Sequence, residues 1–140
     1  MDKISPNRRS ANMRAIRSKN TKPELAVRAL LRRAGFVGYR LHRPDLPGRP
    51  DIAFIKWKKA IFVHGCFWHG HNCKTGTRKP DSHQDYWLPK IEGNRQRDLR
   101  DVAALAGAGW NVMTVWECEI RDPFLSDRLT NFLAQHPQRS

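Results

Sequence analysis

The chain has no apolar run long enough to span a bilayer, no basic amphipathic helix and no lipidation signal, so a membrane is not an expected partner. It opens on no signal-peptide pattern, and its three cysteines, Cys66, Cys73 and Cys118, are an odd number. A disulfide framework is therefore not expected; reduced thiols in the cytoplasm are. Acidic residues are scarce, with 13 Asp and Glu against 26 Lys and Arg, for a formal charge of +13. A surplus of that size points to a polyanion, DNA or RNA, as the partner. There is no internal repeat and no low-complexity segment, and 140 residues suffice for one ordinary domain.

What is present begins with an arm. Residues 1–20 carry Lys3, Arg8, Arg9, Arg14, Arg17 and Lys19 with almost no apolar content, which gives either a DNA-contacting segment or a solvated tail. Residues 21–140 read as the single folded domain. Thr21-Lys-Pro-Glu24 is a capping box, and the apolar residues after it predict a helix to about Ala34, stopped by Gly35. Tyr39 to Leu41 is a candidate short strand, and the turn-rich stretch from Arg43 to Pro50 is a loop. Asp51–Lys56 and Lys59–His64 are β-type runs joined around Trp57 and Lys58, a predicted hairpin. Residues 85–106 form a predicted long helix with an inward stripe of Ile91, Asn94, Asp98, Val102 and Leu105, so two polar residues face inward. A strand over Trp110–Trp116 and a helix over Pro123–Gln135 follow. The order is α-β-β-α-β-α, an α/β fold with a mixed sheet flanked by helices.

From His64 to Pro80 neither periodicity holds, and the segment needs an external staple. Cys66, His71 and Cys73 are soft ligands of the kind tetrahedral zinc selects; Cys118, at the end of the last strand, completes a closed Cys3His site of structural type. His64, His69 and His83 are rival ligands, and ordinary buried cysteines are the plainer alternative.

Asp51 follows Pro50 and precedes the hairpin, the layout of nucleases that hold Mg²⁺ with an aspartate at a bend between strands. Such enzymes place an acid and a lysine on the second strand; here those places hold Phe62 and His64. One carboxylate, a backbone carbonyl and phosphate oxygens still suffice for Mg²⁺. His64 and His69 are candidate bases, because a neutral imidazole near pH 7 can take a proton from water. The alternatives are a turn-ending Asp51, a Glu24 that only caps, and a His64 satisfied in the core. Asp98 needs a charged or metal partner, because a carboxylate on an apolar helix face is costly. Phe67 and Trp68 stand in a polar loop and suit a wedge between base steps, joined by Trp87; the alternative is that they cap the zinc site. Trp110 and Trp116 read as core.

Asn12-Met-Arg-Ala-Ile16, Leu46-Pro-Gly-Arg-Pro-Asp51, Phe62-Val-His-Gly-Cys-Phe-Trp-His69, His71-x-Cys73 and Val115-Trp-Glu-Cys118 resemble the very-short-patch repair endonucleases, Vsr, over roughly residues 10 to 120. The resemblance implies a type II restriction-endonuclease-like fold and a strand-specific nick 5′ of the thymine in a T:G mismatch left by deamination of 5-methylcytosine. It further implies that Asp51 and the main-chain carbonyl of Val63 bind Mg²⁺, while His64, His69, Glu24 and Asp98 orient water or support the phosphate site. Cys66, His71, Cys73 and Cys118 match the family's zinc ligands. Phe67, Trp68 and Trp87 match its intercalating aromatics, and Met13 a residue of an arm entering from the opposite groove. Valine at 63 departs from the family's threonine; a carbonyl ligand tolerates that, but a hydroxyl role does not. A monomer acting on the nucleoid, in company with mismatch-repair proteins such as MutL, is the expected setting.

Overall fold

A computed structural model of the chain describes residues 20–67, 69, 71, 73 and 84–134. The basic arm with Met13, the wedge residue Trp68 and the rival ligand His83 lie outside the described residues.

Helix α1 spans Lys22–Arg33; strands β1, β2 and β3 span Arg40–Leu41, Ile52–Phe54 and Lys59–His64. Helix α2 spans Gln84–Gly107, strand β4 spans Asn111–Trp116, and after a short 3-10 turn over Glu117–Glu119 helix α3 spans Leu125–Ala134. The candidate strand near Tyr39 is thus real but only two residues long. The four strands lie in the order β1-β2-β3-β4. The first three are antiparallel neighbours, whereas β3 and β4 run parallel with His64 opposite Trp116. A parallel pair cannot be closed by a tight turn, and α2 supplies the crossover.

Local chemistry explains the boundaries. Thr21 Oγ1 accepts the amide of Glu24 at 3.3 Å and Pro23 sits in the first turn of α1. At the other end Gly35 takes φ +89°, a left-handed stop. The capping box is displaced at its second bond: the Glu24 carboxylate reaches the amide of Asn20 rather than that of Thr21, at 2.9 Å. The run from Asp51 to Lys56 yields a strand of only three residues, because residues 55–58 turn back, with Trp57 N bonded to Phe54 O and Lys58 at φ +55°. Helix α3 begins two residues later than Pro123, because Asp122 Oδ1 accepts the amide of Phe124 and its carbonyl accepts that of Leu125, an entry turn.

The period-two alternation of β3 decides what each face meets. On one face Ile52, Phe54, Ile61 and Val115 are buried against Val27 and Leu31 of α1 and Leu125, Leu129 and Leu133 of α3. On the other, Ala53, Ala60 and Phe62 pack with Leu105 and Trp110, with Val102 against them. His64 continues the register of Ala60 and Phe62, so it faces α2, whose inward stripe carries Asp98 as expected. Gly48 lets the loop before β2 close on α2: at φ +76°, a Cβ there would stand 2.8 Å from Asp101 Cβ. Among the described residues no helix is long and apolar enough to cross a membrane.

Candidate functional site

Three groups of ligand-type side chains gather around the carboxyl ends of β3 and β4: Glu24 with His42 and Asp51; His64 with His69 and Asp98; and Cys66, His71, Cys73 and Cys118. Within each group the ligating atoms lie within 4.8 Å of one another. Every described residue singled out for the catalytic and zinc roles falls in one of them, apart from Val63, which contributes backbone.

Asp51 occupies the bend before β2, and its Oδ2 accepts the amide of Val63 at 2.7 Å. This bond continues the β2-β3 ladder with a side chain and fixes the carboxylate one residue from His64. Burial pushes the Asp51 carboxyl up to about 7, the charge of Glu24 adding to the rise and the Val63 amide opposing it. A buried Asp51 carboxyl beside a second acid suits a divalent cation, which would favour its charged form. Glu24, 1% exposed, also accepts Arg28 Nη1 at 3.3 Å and meets His42 Nε2 at 3.0 and 2.8 Å. His42 was not marked by sequence reasoning. Its partner is 18 residues away, and a lone histidine in a turn-rich stretch carries no periodic signal.

His69 Nδ1 lies 2.6 Å from Asp98 Oδ2. A carboxylate accepts, so the proton of this pair sits on Nδ1 and the ring's lone pair is on Nε2. His64 stacks on His69 with ring centroids 3.8 Å apart and planes 1° from parallel. Its Nδ1 is 3.8 Å from the same oxygen, too far for a hydrogen bond, and among the described residues it is the buried side-chain polar atom left without a partner. The reading of His64 as a satisfied core histidine therefore fails. Burial and then the neighbouring His69 push its pKa down to about 4, against the pull of Asp98, so the ring is neutral at pH 7. Parallel rings aim their in-plane lone pairs side by side rather than at a common point. This trio accordingly suits proton handling better than metal ligation.

The third group fits zinc. Cys118 Sγ is 3.5 Å from His71 Nδ1, and a tetrahedral ion with ordinary Zn–S and Zn–N bonds would separate such a pair by roughly 3.6 Å. The amide of Cys118 donates to Cys66 Sγ at 3.4 Å, the backbone bond usual to a ligating sulfur. Burial pushes the Cys66 thiol up to about 12, with Cys73 and Cys118 among the groups raising it, so joint deprotonation of these sulfurs calls for a cation. Trp116, read from the sequence as core, is half-buried; it stacks on His71 with ring centroids 4.1 Å apart and meets His64 edge-to-face with centroids 5.3 Å apart. It divides the cysteine group from the histidine pair. Only the parallel register of β3 and β4 reveals that position.

Phe67 meets Trp87 edge-on at 5.7 Å, and Trp87 meets the half-exposed Tyr86 at 4.8 Å. Lys90 Nζ lies over the Tyr86 ring. The first turns of α2 thus add a basic, aromatic edge to the loop that carries the histidines.

A family model described as DNA mismatch endonuclease Vsr matches residues 1–75. The type II nicking enzyme V.XorIIP of Xanthomonas oryzae pv. oryzae is 56% identical over 133 residues, which is 94% of this chain and 96% of the relative. The type II nicking enzyme V.NmeAIP of Neisseria meningitidis is 40% identical, covering 96% and 94%. The DNA mismatch endonuclease Vsr of Escherichia coli is 40% identical over 131 residues, 89% and 83% of the two chains. With over half the chain matched by the family model and relatives aligned nearly end to end, the protein belongs to the Vsr family of DNA mismatch endonucleases.

Proposed function

We propose that this endonuclease makes a strand-specific nick 5′ of the thymine in T:G mismatches left by deamination of 5-methylcytosine, and that the nick opens very-short-patch repair. The observation that carries the reading is the bond from the Val63 amide to Asp51, which sets a cation-seeking carboxylate one residue from a base pair of histidines. Asp51 and the Val63 carbonyl would hold Mg²⁺. Such an ion, when bound, neutralises charge on the phosphate and the leaving oxygen.

The protein's own groups divide the remaining work. Asp98 holds His69 in the tautomer whose Nε2 is the base, so His69 takes the proton from the attacking water. His64, neutral and desolvated, supports the stacked ring and stands ready to give or receive a hydrogen bond at the phosphate. Cys66, His71, Cys73 and Cys118 would hold structural zinc and so fix the loop that carries His69. Phe67 and Trp87, with Trp68, enter the duplex as a wedge; unstacking costs a few kcal/mol and least at a mismatched step, which selects the lesion. Met13 and the arm of residues 1–20 enter from the other groove, and residues 21–140 form the endonuclease domain. We take the enzyme to act as a monomer on chromosomal DNA in the cytoplasm, in concert with mismatch-repair proteins such as MutL.

The test is a panel of labelled duplexes incubated with the protein and Mg²⁺: T:G, the other mismatches, a matched duplex, and RNA of the same sequence. A single nick 5′ of the mismatched thymine is expected, at a rate well above every other member. Cutting of matched DNA or of RNA at a comparable rate would replace this reading with that of a general nuclease.

A further inference from the structure

Among the described residues, Asn20, His42, Arg49 and Lys58 hold a non-glycine residue in the left-handed region, at φ of +57°, +49°, +50° and +55°. Lys58 ends the β2-β3 turn. Two of the others bond to one group, Asn20 donating its amide to Glu24 and His42 meeting the Glu24 carboxylate and the Asp51 carbonyl, while Arg49 precedes Asp51 by two residues in the chain. Such conformations persist only where the surroundings over-determine them, and their gathering at a site invites a functional explanation.

His42 is the residue that ties the Glu24 carboxylate to the backbone of Asp51. Its backbone amide donates to the Asp51 carbonyl at 3.2 Å, extending the β1-β2 pairing by one bond. Its Nε2 meets both oxygens of Glu24, at 3.0 and 2.8 Å. The left-handed backbone is what lets one residue satisfy both bonds, turning the ring towards α1 while the amide stays in register with β2. Asn20 and Arg28 hold the far sides of the same carboxylate. Without the imidazole, Glu24 keeps a half-buried arginine and one amide as partners and loses its bond to the residue that pairs with the Asp51 backbone.

We propose that His42 is a positioning residue of the active site, bracketing Glu24 and Asp51 so that the two carboxylates present a preset site to the divalent cation. The inference deepens the proposed reaction and rests on it for the cation's role in the cut. His42 itself touches neither substrate nor reacting atoms; it acts through Glu24.

Two substitutions separate reach from backbone. His42→Asn tolerates the left-handed conformation but is too short to reach Glu24. His42→Gln carries an amide N–H of about the reach of Nε2. Manganese(II) binding to the full chain, followed by electron paramagnetic resonance of the free ion, gives a readout independent of activity. His42→Asn is expected to weaken Mn²⁺ binding by about tenfold or more, as loss of a ligand's orienting partner commonly does. It should raise the Mg²⁺ concentration for half-maximal nicking in parallel, with kcat at saturating Mg²⁺ recovering and the melting temperature held within a few degrees. His42→Gln should recover most of the Mn²⁺ affinity. Wild-type Mn²⁺ affinity in His42→Asn overturns the proposal. So does equal loss in both variants together with a fall in melting temperature, which would assign His42 to the fold. If the wild type nicks no T:G duplex yet His42→Asn still loses Mn²⁺ affinity, the proposed reaction fails and the positioning role stands.

Discussion

At the scale of single residues the site is a set of partners that complete one another, and each bond predicts what its removal does. The pair His69–Asp98 is 2.6 Å long and orients one imidazole, whereas among the described residues His64 Nδ1 has no hydrogen-bond partner. The two histidines therefore differ in role although they stack. His69→Ala should lower the single-turnover nicking rate by about 10² to 10⁴, the usual weight of a general base, and Asp98→Asn should reproduce much of that loss; equal rates for wild type and Asp98→Asn would contradict the orienting role. Asp51 makes a pH prediction with a definite sign. Its carboxyl titrates in the folded chain near 7, well above the unfolded value. The stability this group contributes is present below about pH 4 and lost as pH rises through about 7. In Mg²⁺-free buffer, Asp51→Asn should thus be more stable than wild type at pH 8 but not at pH 4. Allowing for solvent screening of a half-buried carboxylate, the difference is on the order of 1–3 kcal/mol, readable from urea midpoints. A gap that does not change with pH would contradict the assignment. That Asp98 needs a partner was legible in the sequence, because a carboxylate on an apolar stripe demands one; that the partner is His69 was not. His42 and Trp116 were not, since their meaning comes from contacts that only strand register and loop closure create.

At the scale of elements, two devices aim the site. The parity of β3 sends Phe62 and His64 to α2 while Ile61 faces α1 and α3, so the residue that ends the strand arrives opposite Asp98. The loop from Leu46 to Pro50 then closes on α2 through Gly48 and delivers Asp51 to the start of β2. Gly35 and Gly48 are both left-handed, but among the described residues nothing stands within 4 Å of a Cβ at Gly35, whereas Asp101 blocks one at Gly48. Gly35→Ala should cost about 1–2 kcal/mol, the left-handed backbone term alone. Gly48→Ala adds overpacking of about 1–3 kcal/mol and should also slow nicking, because the loop that moves carries Asp51. Similar urea midpoints and rates for the two variants would remove Gly48 from this role. Helix α1, the hairpin and α2 could be read in advance because Thr21, Gly35, the turn at Trp57 and Lys58, and the stripe from Ile91 to Leu105 each act locally. The end of the first hairpin strand and the start of α3 could not, since Phe54 and Asp122 set those limits through turn bonds that many sequences would allow.

At the scale of the whole molecule, a basic protein lays three groups of ligand-type side chains along one end of its sheet: Glu24 and Asp51 with His42, His64 and His69 with Asp98, and the three cysteines with His71. Because the last has Cys118 arriving from β4 and the rest from the loop after β3, one ion would clamp the two parallel strands' exits. A chelator that removes zinc should release one equivalent per chain and abolish nicking, with the loop's amide protection lost while that of Ile61 and Val115 persists. Retained activity in zinc-free protein would contradict the clamp. The central claim is that Asp51 serves the cut rather than the fold or DNA binding. The measurement that tests it most directly is the single-turnover rate on a T:G duplex for wild type and Asp51→Asn, with duplex affinity measured alongside. A loss of about 10³ or more in rate, beside retained affinity for the mismatch, is the predicted result for a residue whose contribution is made in the transition state; nicking by Asp51→Asn at the wild-type rate would contradict it.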